Sequence, residues 1–304
     1  MTNSHWGTSV HEAMISPLNV DVMMIGHFAK DRLVVDGHRE LASGGAVYYG
    51  GIALRRMGIS VAVVTRLHPN DFPRLDELRR EGMQILATPA LETSAIEIIY
   101  TSADMERRIY KLLSFAGPFQ VTDIPDVAAR IYAIVPIIGG EADLTLLKTL
   151  AARGPLALDV QGFVRARDGD DLVPRRWPEI EDGLSCVTYL KVDRAEAELL
   201  TGLADMAAAA RCLADYGPRE VVVTESSGVT VFADGSIYQA PFTSRSLAGR
   251  TGRGDTCFAT YLGRRLSASP EEATRLAAAV TTLKQEQPGP WRGSLAAIAE
   301  KANV

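Results

Sequence analysis

The sequence predicts an α/β protein with a mostly parallel central sheet, helices on both faces and a small β lid. Short apolar runs, typical of buried strands, alternate with helical patterns along most of the chain, which is the order that βαβ units produce. Two places that break this alternation carry the pattern of hairpins instead. A length of 304 residues suits a single large α/β domain.

The regular elements are predicted from apolar periodicity and from turn residues at their ends. Strands are predicted at residues 20–26, 59–65, 83–87, 133–138, 156–160, 187–191 and 220–224. Helices are predicted at residues 45–57, 72–81, 142–152, 194–201, 206–216, 254–266 and 271–283. The last helix has a clear start signal, because Ser269 is a good N-cap and Pro270 and Glu272 suit the first turn.

Residues 95–101 and 107–112 flank a short polar link at residues 102–106 and are predicted to pair as a hairpin. A second hairpin is predicted at residues 229–232 and 237–240. A cover over a binding site is one use of the first hairpin, and an edge extension of the sheet is the alternative. The predicted organisation is a flexible tail at residues 1–18 and one domain at residues 19–304. Its lid elements are predicted at about 31–42 and 93–113.

Composition excludes several classes of protein. A net charge of -5 gives no general footprint for nucleic acid or an acidic membrane. Cys186, Cys212 and Cys257 are far apart, which argues against a disulfide scaffold and a structural zinc site. No apolar run is long enough to cross a membrane, and the first 17 residues lack the pattern of a signal peptide. The cytoplasm is therefore the expected compartment.

Residues 249–256 are the most informative stretch, because they join a strand-like segment to a strong helix. Gly252 and Gly254 permit a tight turn whose amide groups, with those of the helix start, form an anion cradle. Asp255 places a carboxylate beside the cradle, and Arg253 adds a positive charge. Phosphoryl transfer needs this pairing of a cradle and a proton acceptor. The alternative is that Asp255 only caps the helix.

This stretch resembles the C-terminal signature, DTxGAGD, of the ribokinase-like (pfkB) sugar kinases, which Gly252, Gly254 and Asp255 match. The resemblance implies a ribokinase-like fold, with Asp255 as the catalytic base and the amides of residues 252–254 as the anion hole. It also implies ATP as donor, Mg²⁺ as cofactor, and Thr251 near the nucleotide. Further motifs in the right order extend the resemblance over roughly residues 20–290.

The signature also shows departures. Gly249 and Arg250 stand where the family has Asp-Thr, and Arg253 replaces the usual alanine. Many members bind a monovalent cation in this region, so a requirement for such a cation is an open question here.

The N-terminal family signature implies a substrate site at Gly44, Gly45 and Tyr49, where Tyr49 replaces the usual asparagine. An aromatic wall there suits a flatter or bulkier ligand. Asp31, five residues after Gly26, matches the family's substrate-binding aspartate, and a carboxylate can accept hydrogen bonds from two neighbouring hydroxyls. A solvated turn residue is the alternative for Asp31.

Three other segments match the family more loosely. Asp193 and Glu196 resemble an Asn-x-x-Glu motif that positions magnesium and phosphate, although Asp-x-x-Glu is also a capping box. Thr224 and Gly228 resemble a nucleotide-binding segment, with Ser226 in place of a glycine. Gln161 and Arg165 follow the central strand where members carry substrate ligands. Glu141, at another strand end, is a candidate substrate contact or a helix N-terminal charge.

The sequence therefore predicts a kinase that transfers the γ-phosphoryl group of ATP to a hydroxyl of a sugar, polyol or nucleoside. Tyr49 and Gln161 favour a cyclic polyol, inositol-like, or a nucleoside. Its partners are then ATP and a small-molecule substrate, with no nucleic acid or membrane, and a homodimer through the β lid stays open. Two rival classes are a non-catalytic sensor on the same fold and a nucleotide-binding oxidoreductase. The second is disfavoured because this sequence has no GxGxxG motif after its first strand.

Overall fold

A sheet of nine strands runs through the part of the chain that the structure, a computed structural model, describes, namely residues 19–101 and 108–302. The predicted tail at residues 1–18 and the predicted hairpin link at residues 102–106 lie outside the described residues. In chain order the strands are β1 (Asn19–Ile25), β2 (Ala29–Val35), β3 (His38–Gly44), β4 (Val61–Leu67), β5 (Gln84–Pro89), β6 (Ala95–Tyr100), β7 (Arg108–Ser114), β8 (Ala128–Ile134), β9 (Leu156–Asp159), β10 (Arg165–Asp168), β11 (Asp171–Pro174), β12 (Tyr189–Asp193), β13 (Glu220–Thr224), β14 (Gly228–Ala233) and β15 (Ser236–Pro241).

The helices follow the strands as βαβ connections predict. They are α1 (Ala46–Arg56), α2 (Asp76–Arg80), α3 (Leu144–Ala151), α4 (Gln161–Val164), α5 (Ile180–Leu184), α6 (Arg194–Thr201), α7 (Met206–Ala214), α8 (Arg253–Arg265), α9 (Pro270–Gln285) and α10 (Leu295–Ala302). The helix predicted at 72–81 is mostly 3-10 in its first part, Pro69–Leu75, because Pro73 inside it cannot donate a backbone hydrogen bond.

The strand order is β15-β14-β13-β12-β9-β8-β1-β4-β5. The strands from β13 to β5 run parallel, and β14 and β15 continue the sheet as the predicted antiparallel hairpin. The predicted α/β class with helices on both faces is confirmed. One strand was misplaced: β8 begins at Ala128 rather than at residue 133, because its first residues are not an apolar run.

The two faces of the sheet bury separate cores. In β1, Val22 and Met24 pack towards α1, α8 and α9, whereas Met23 and Ile25 pack towards α3, α6 and α7. Burial on both faces explains why this strand is apolar throughout rather than alternating. Polar residues that end such strands, as Asp159 ends β9 and Asp193 ends β12, lie where a ligand can reach them.

A smaller sheet, with the order β10-β11-β7-β6-β2-β3, stands beside the main one. It contains the predicted antiparallel pair β6 and β7 and the predicted element at about 31–42. The β10–β11 hairpin was missed, because its short strands carry charged residues rather than an apolar run. Leu41, Ile109 and Leu113 of this sheet are exposed, and pairing of two copies through it stays a prediction. Within the described ranges, no helix has the length and apolar character that a membrane crossing needs.

Candidate active site

One cleft collects most of the residues that the sequence singled out. It lies where β12 and β13 end, beside the start of α8, and the smaller sheet forms its other wall. The predicted residues that line it are Asp31, Gly45, Tyr49, Gln161, Arg165, Asp193, Thr224, Thr251, Gly252, Arg253, Gly254 and Asp255. Further lining residues include Ile96, Ile98, Tyr100, Arg108, Tyr110, Ile137, Lys191 and Arg250.

Gly252 makes the turn into α8 and has two reasons to be glycine. Its φ of 80° is left-handed, and a Cβ built there would lie 2.2 Å from the ring of Tyr49. The helix begins at the next residue, Arg253, and the amides of a first turn have no carbonyl partner one turn earlier in the helix. The amide of Arg253 instead donates to the carbonyl oxygen of Arg250 at 3.2 Å. A left-handed glycine followed by a helix start is the local backbone that the predicted cradle needs, and binding of an anion there stays a prediction.

Asp255 lies in the first turn of α8 and lines the cleft. Burial, aided by the negative charge of Asp159, raises the pKa of its carboxyl group to about 6 against the opposing positive charges of Lys191 and Lys284. A carboxyl group with a pKa near 6 is ionised at neutral pH and is a stronger base than an ordinary aspartate. The site therefore has a group that can accept a proton from a hydroxyl.

Lys191 is a site residue that the sequence did not assign. Its Nζ lies 3.1 Å from the carboxylate of Asp159 and 3.7 Å from that of Glu196. Burial opposes its charge, but these carboxylates outweigh burial and raise the pKa of Lys191, so it stays an ammonium group. A Cβ on Gly254 would lie 3.5 Å from Nζ, which puts the charge beside the cradle. The available signal was a lysine inside an otherwise apolar strand.

Asp31 is buried in β2 rather than in a solvated turn, so that alternative is excluded. Its Oδ1 accepts a hydrogen bond from the amide of Ile96, and a Cβ on Gly44 would lie 2.1 Å from Oδ2. Burial raises the pKa of Asp31 to about 7. Gly44 thus makes room for the carboxylate instead of lining the cleft.

Two arginines on the far side of the cleft are held by an aromatic ring. The guanidinium of Arg165 stacks 4.0 Å from the ring centroid of Tyr110, and that of Arg108 lies 5.6 Å from it. Arg108 also approaches Asp193, with 3.9 Å between Nη2 and Oδ2. A cation from the smaller sheet therefore reaches the side of the cleft formed by β12.

Glu141 and Gly228 are two predicted ligands that lie outside the cleft lining. The carboxylate of Glu141 is fully buried and accepts hydrogen bonds from the amides of Ile137, Ile138 and His27. Burial raises its pKa to about 8. It supports the wall behind the cleft, which corrects its assignment as a substrate contact. Gly228 starts β14, where a Cβ would lie 2.4 Å from Ala240 O, so its role there is structural.

Asp193 and Glu196 form the capping box of α6 that the alternative interpretation predicted. Asp193 also lines the cleft, whereas Glu196 lies in a neighbouring groove, so one motif serves both the helix start and the cleft wall. In the described part of the chain, no three potential metal ligands cluster together. Asp193 is the carboxylate of this motif that reaches the cleft, where oxygen ligands suit a magnesium ion.

Comparisons with known proteins agree with this fold. A profile described as "pfkB family carbohydrate kinase" matches residues 52–294. Cytidine kinase of Thermococcus kodakarensis is 26% identical over 273 residues, with 84% of this chain and 93% of that protein covered.

Solved structures are similar over nearly the whole chain. A pyrophosphate-dependent kinase in the ribokinase family, complexed with a pyrophosphate analog and myo-inositol, is 37% identical, with a TM-score of 0.85. That match covers 93% of this chain and 100% of the other. Ribokinase of Arabidopsis thaliana, complexed with ribose and ATP, is 17% identical with a TM-score of 0.74, over 94% and 100% of the two chains, which shows the fold alone.

We expect Lys191→Met to lower the free energy of unfolding near neutral pH by about 3–5 kcal/mol. The substitution leaves the buried carboxylates of Asp159 and Glu196 without their ammonium partner. Protonation neutralises unpaired carboxylates, so the difference from the wild type should shrink as the pH falls from about 8 to about 5. Urea unfolding at several pH values measures this difference in the free energy of unfolding.

Lys148→Met, on the exposed side of α3, is the matched control and should change little at any pH. Equal stability of Lys191→Met and the wild type across the pH range would contradict the ion cluster.

Proposed function

Since the chain belongs to the pfkB family of carbohydrate kinases, we propose that it transfers a phosphoryl group from inorganic pyrophosphate to a hydroxyl of a cyclic polyol of the inositol type. The concentration of buried positive charge around the cradle carries this proposal. Lys191, Arg250 and Arg253 all line the cleft and are each less than 5% exposed. A group of cations at one side of a cleft attracts a polyanion, and a pyrophosphate supplies several negative charges in a small volume.

The distribution of apolar surface supports the same donor. Most of the apolar and aromatic lining residues lie on the smaller sheet and after β8, although the ring of Phe242 lies 5.8 Å from the guanidinium of Arg253. A nucleoside donor needs an apolar slot for its base, whereas pyrophosphate needs only cations and amide groups. The 37% identity to a pyrophosphate-dependent kinase points the same way. ATP, the donor expected from the sequence, is the alternative.

The acceptor side of the cleft suits a ring that carries many hydroxyls. Asp31 and Gln161 offer oxygen and amide groups that bind neighbouring hydroxyls. Ile96, Ile98 and the ring of Tyr49 provide apolar walls for the carbon–hydrogen faces of the ring. Because the similar pyrophosphate-dependent kinase was solved with myo-inositol, an inositol is the acceptor we favour.

The proposed step needs a base and stabilisation of negative charge. The acceptor oxygen forms the new bond to phosphorus, its proton passes to the carboxylate of Asp255, and orthophosphate leaves. The amides of residues 252–254 and the cations Lys191 and Arg253 stabilise the charge on the transferred group. A bound magnesium ion, near Asp193 and Glu196, would neutralise charge on the donor oxygens.

We expect pyrophosphate with myo-inositol to give a kcat/KM that exceeds that with ATP by about tenfold or more. Release of orthophosphate and formation of inositol phosphate are measured with both donors, each against myo-inositol, ribose and cytidine. Arg250→Met should raise the KM for pyrophosphate more than the KM for myo-inositol, because it removes a cation from the donor side. Faster turnover with ATP would overturn the choice of donor.

Asp255→Asn should retain binding of the donor but lose transfer by at least about 100-fold, because the amide cannot accept the hydroxyl proton. Donor binding is measured by calorimetry and transfer by product formation. Asp205→Asn, at the exposed start of α7, makes the same change of charge and keeps a good helix cap, so it should remain active. Near-normal turnover of Asp255→Asn would contradict the assignment of Asp255 as the catalytic base.

The ionised form of Asp255 is the active one, so kcat/KM should rise with pH and reach half of its plateau near the pKa of about 6. Asp159→Asn removes a negative neighbour that raises this pKa, so the acidic limb should move to lower pH. The limb in Asp205→Asn should coincide with that of the wild type. An Asp159→Asn profile that keeps its midpoint would show that another group titrates.

A further inference from the structure

Lys284 is a buried cation that the proposed reaction does not use. It lies in the last turn of α9 and is 2% exposed. Its Nζ donates hydrogen bonds to the carbonyl oxygens of Gly249 and Thr251, in the loop just before the cradle. The same atom lies 5.0 Å from the ring centroid of Tyr49.

These surroundings favour a positive charge at one point. Main-chain carbonyl oxygens replace the hydration shell of alkali cations in proteins, and an aromatic face attracts a cation as well. The C-terminal end of α9 adds a partial negative charge. Burial, together with the positive charge of Arg250, lowers the pKa of Lys284 to about 7 against the opposing effect of Asp255, so the ammonium form is the main one below that pH.

The loop that Lys284 contacts connects directly to the cradle. The amide of Gly249 donates to Gln285 O of α9 at 2.8 Å, so the loop is attached to this helix on both sides of Arg250. Thr251 is followed by Gly252, whose backbone turn packs on the Tyr49 ring. Lys284, Tyr49 and Gly252 thus contact one another next to the loop that leads into the cradle.

We propose that the ammonium group of Lys284 acts as a built-in monovalent cation, which fixes the loop at residues 249–251 and thereby positions the cradle. It is a positioning residue, because it acts through main-chain carbonyl groups and not on the substrate. Its charge occupies the place that a dissolved cation would need between the two carbonyl oxygens. The chain therefore requires no added K⁺ or Na⁺.

Two substitutions separate charge from shape. Lys284→Met keeps much of the volume but loses the charge, and it leaves little room for an ion. Lys284→Ala opens a space lined by the carbonyl oxygens of Gly249 and Thr251, where an ion can bind. Lys148→Met is the control for loss of a lysine charge elsewhere.

Activity is compared in KCl, NH₄Cl and tetramethylammonium chloride at one ionic strength, with whichever donor proves active. The wild type and Lys148→Met should show equal rates in all three salts. Lys284→Met should lose about 100-fold in kcat in every salt, because a displaced cradle is a poor fit to the transition state. Lys284→Ala should regain activity with K⁺ or NH₄⁺ in a saturable manner, and not with tetramethylammonium.

Thermal unfolding in the same salts tests the inference without any turnover, so its failure is distinct from failure of the proposed kinase reaction. K⁺ and NH₄⁺ should raise the Tm of Lys284→Ala above its value in tetramethylammonium, and the wild type should show no such difference. A wild-type enzyme whose rate or Tm depends on K⁺ would overturn the proposal. Full activity of Lys284→Met in tetramethylammonium would do so as well.

Discussion

The close packing of the Tyr49 ring against the backbone of Gly252 is the constraint on which the site depends. No side chain fits at position 252, and its left-handed backbone sets the direction in which α8 leaves the loop. The backbone at Gly252 therefore determines where Asp255 and the amides of the first turn of α8 lie. The ring of Tyr49 also lies 5.0 Å from the ammonium group of Lys284, so a single aromatic residue contacts α8 and α9 from its position in α1.

The electrostatics of the cleft follow from where the sheet ends. Asp159 ends β9, and Lys191 and Asp193 lie in the second half of the neighbouring β12, so these charged groups meet at the cleft. Burial brings these charges close together, and their pairing keeps Lys191 protonated while the carboxyl group of Asp255 becomes more basic. Charges that are shielded from water cost free energy to bury. For the same reason they attract an anionic ligand strongly.

Much of the fold was predictable from the sequence, because strands buried on both faces leave continuous apolar runs and helices leave caps. The residues of the cradle were predictable too, since two glycines beside an aspartate are a local signal. Lys191 and Lys284 were not assigned, because their roles depend on partners far away in sequence. Glu141 was misassigned for the same reason: its position at a strand end is local, but the three amides that surround it are not.

The hydroxyl groups of Tyr100 and Thr251 lie 2.6 Å apart and share a hydrogen bond between β6 and the loop before α8. One bond thus joins the smaller sheet to the loop before the turn at Gly252. A displacement of β6 that separates the two hydroxyl groups removes a support of that loop, so movement of the smaller sheet and order in residues 249–251 are physically connected.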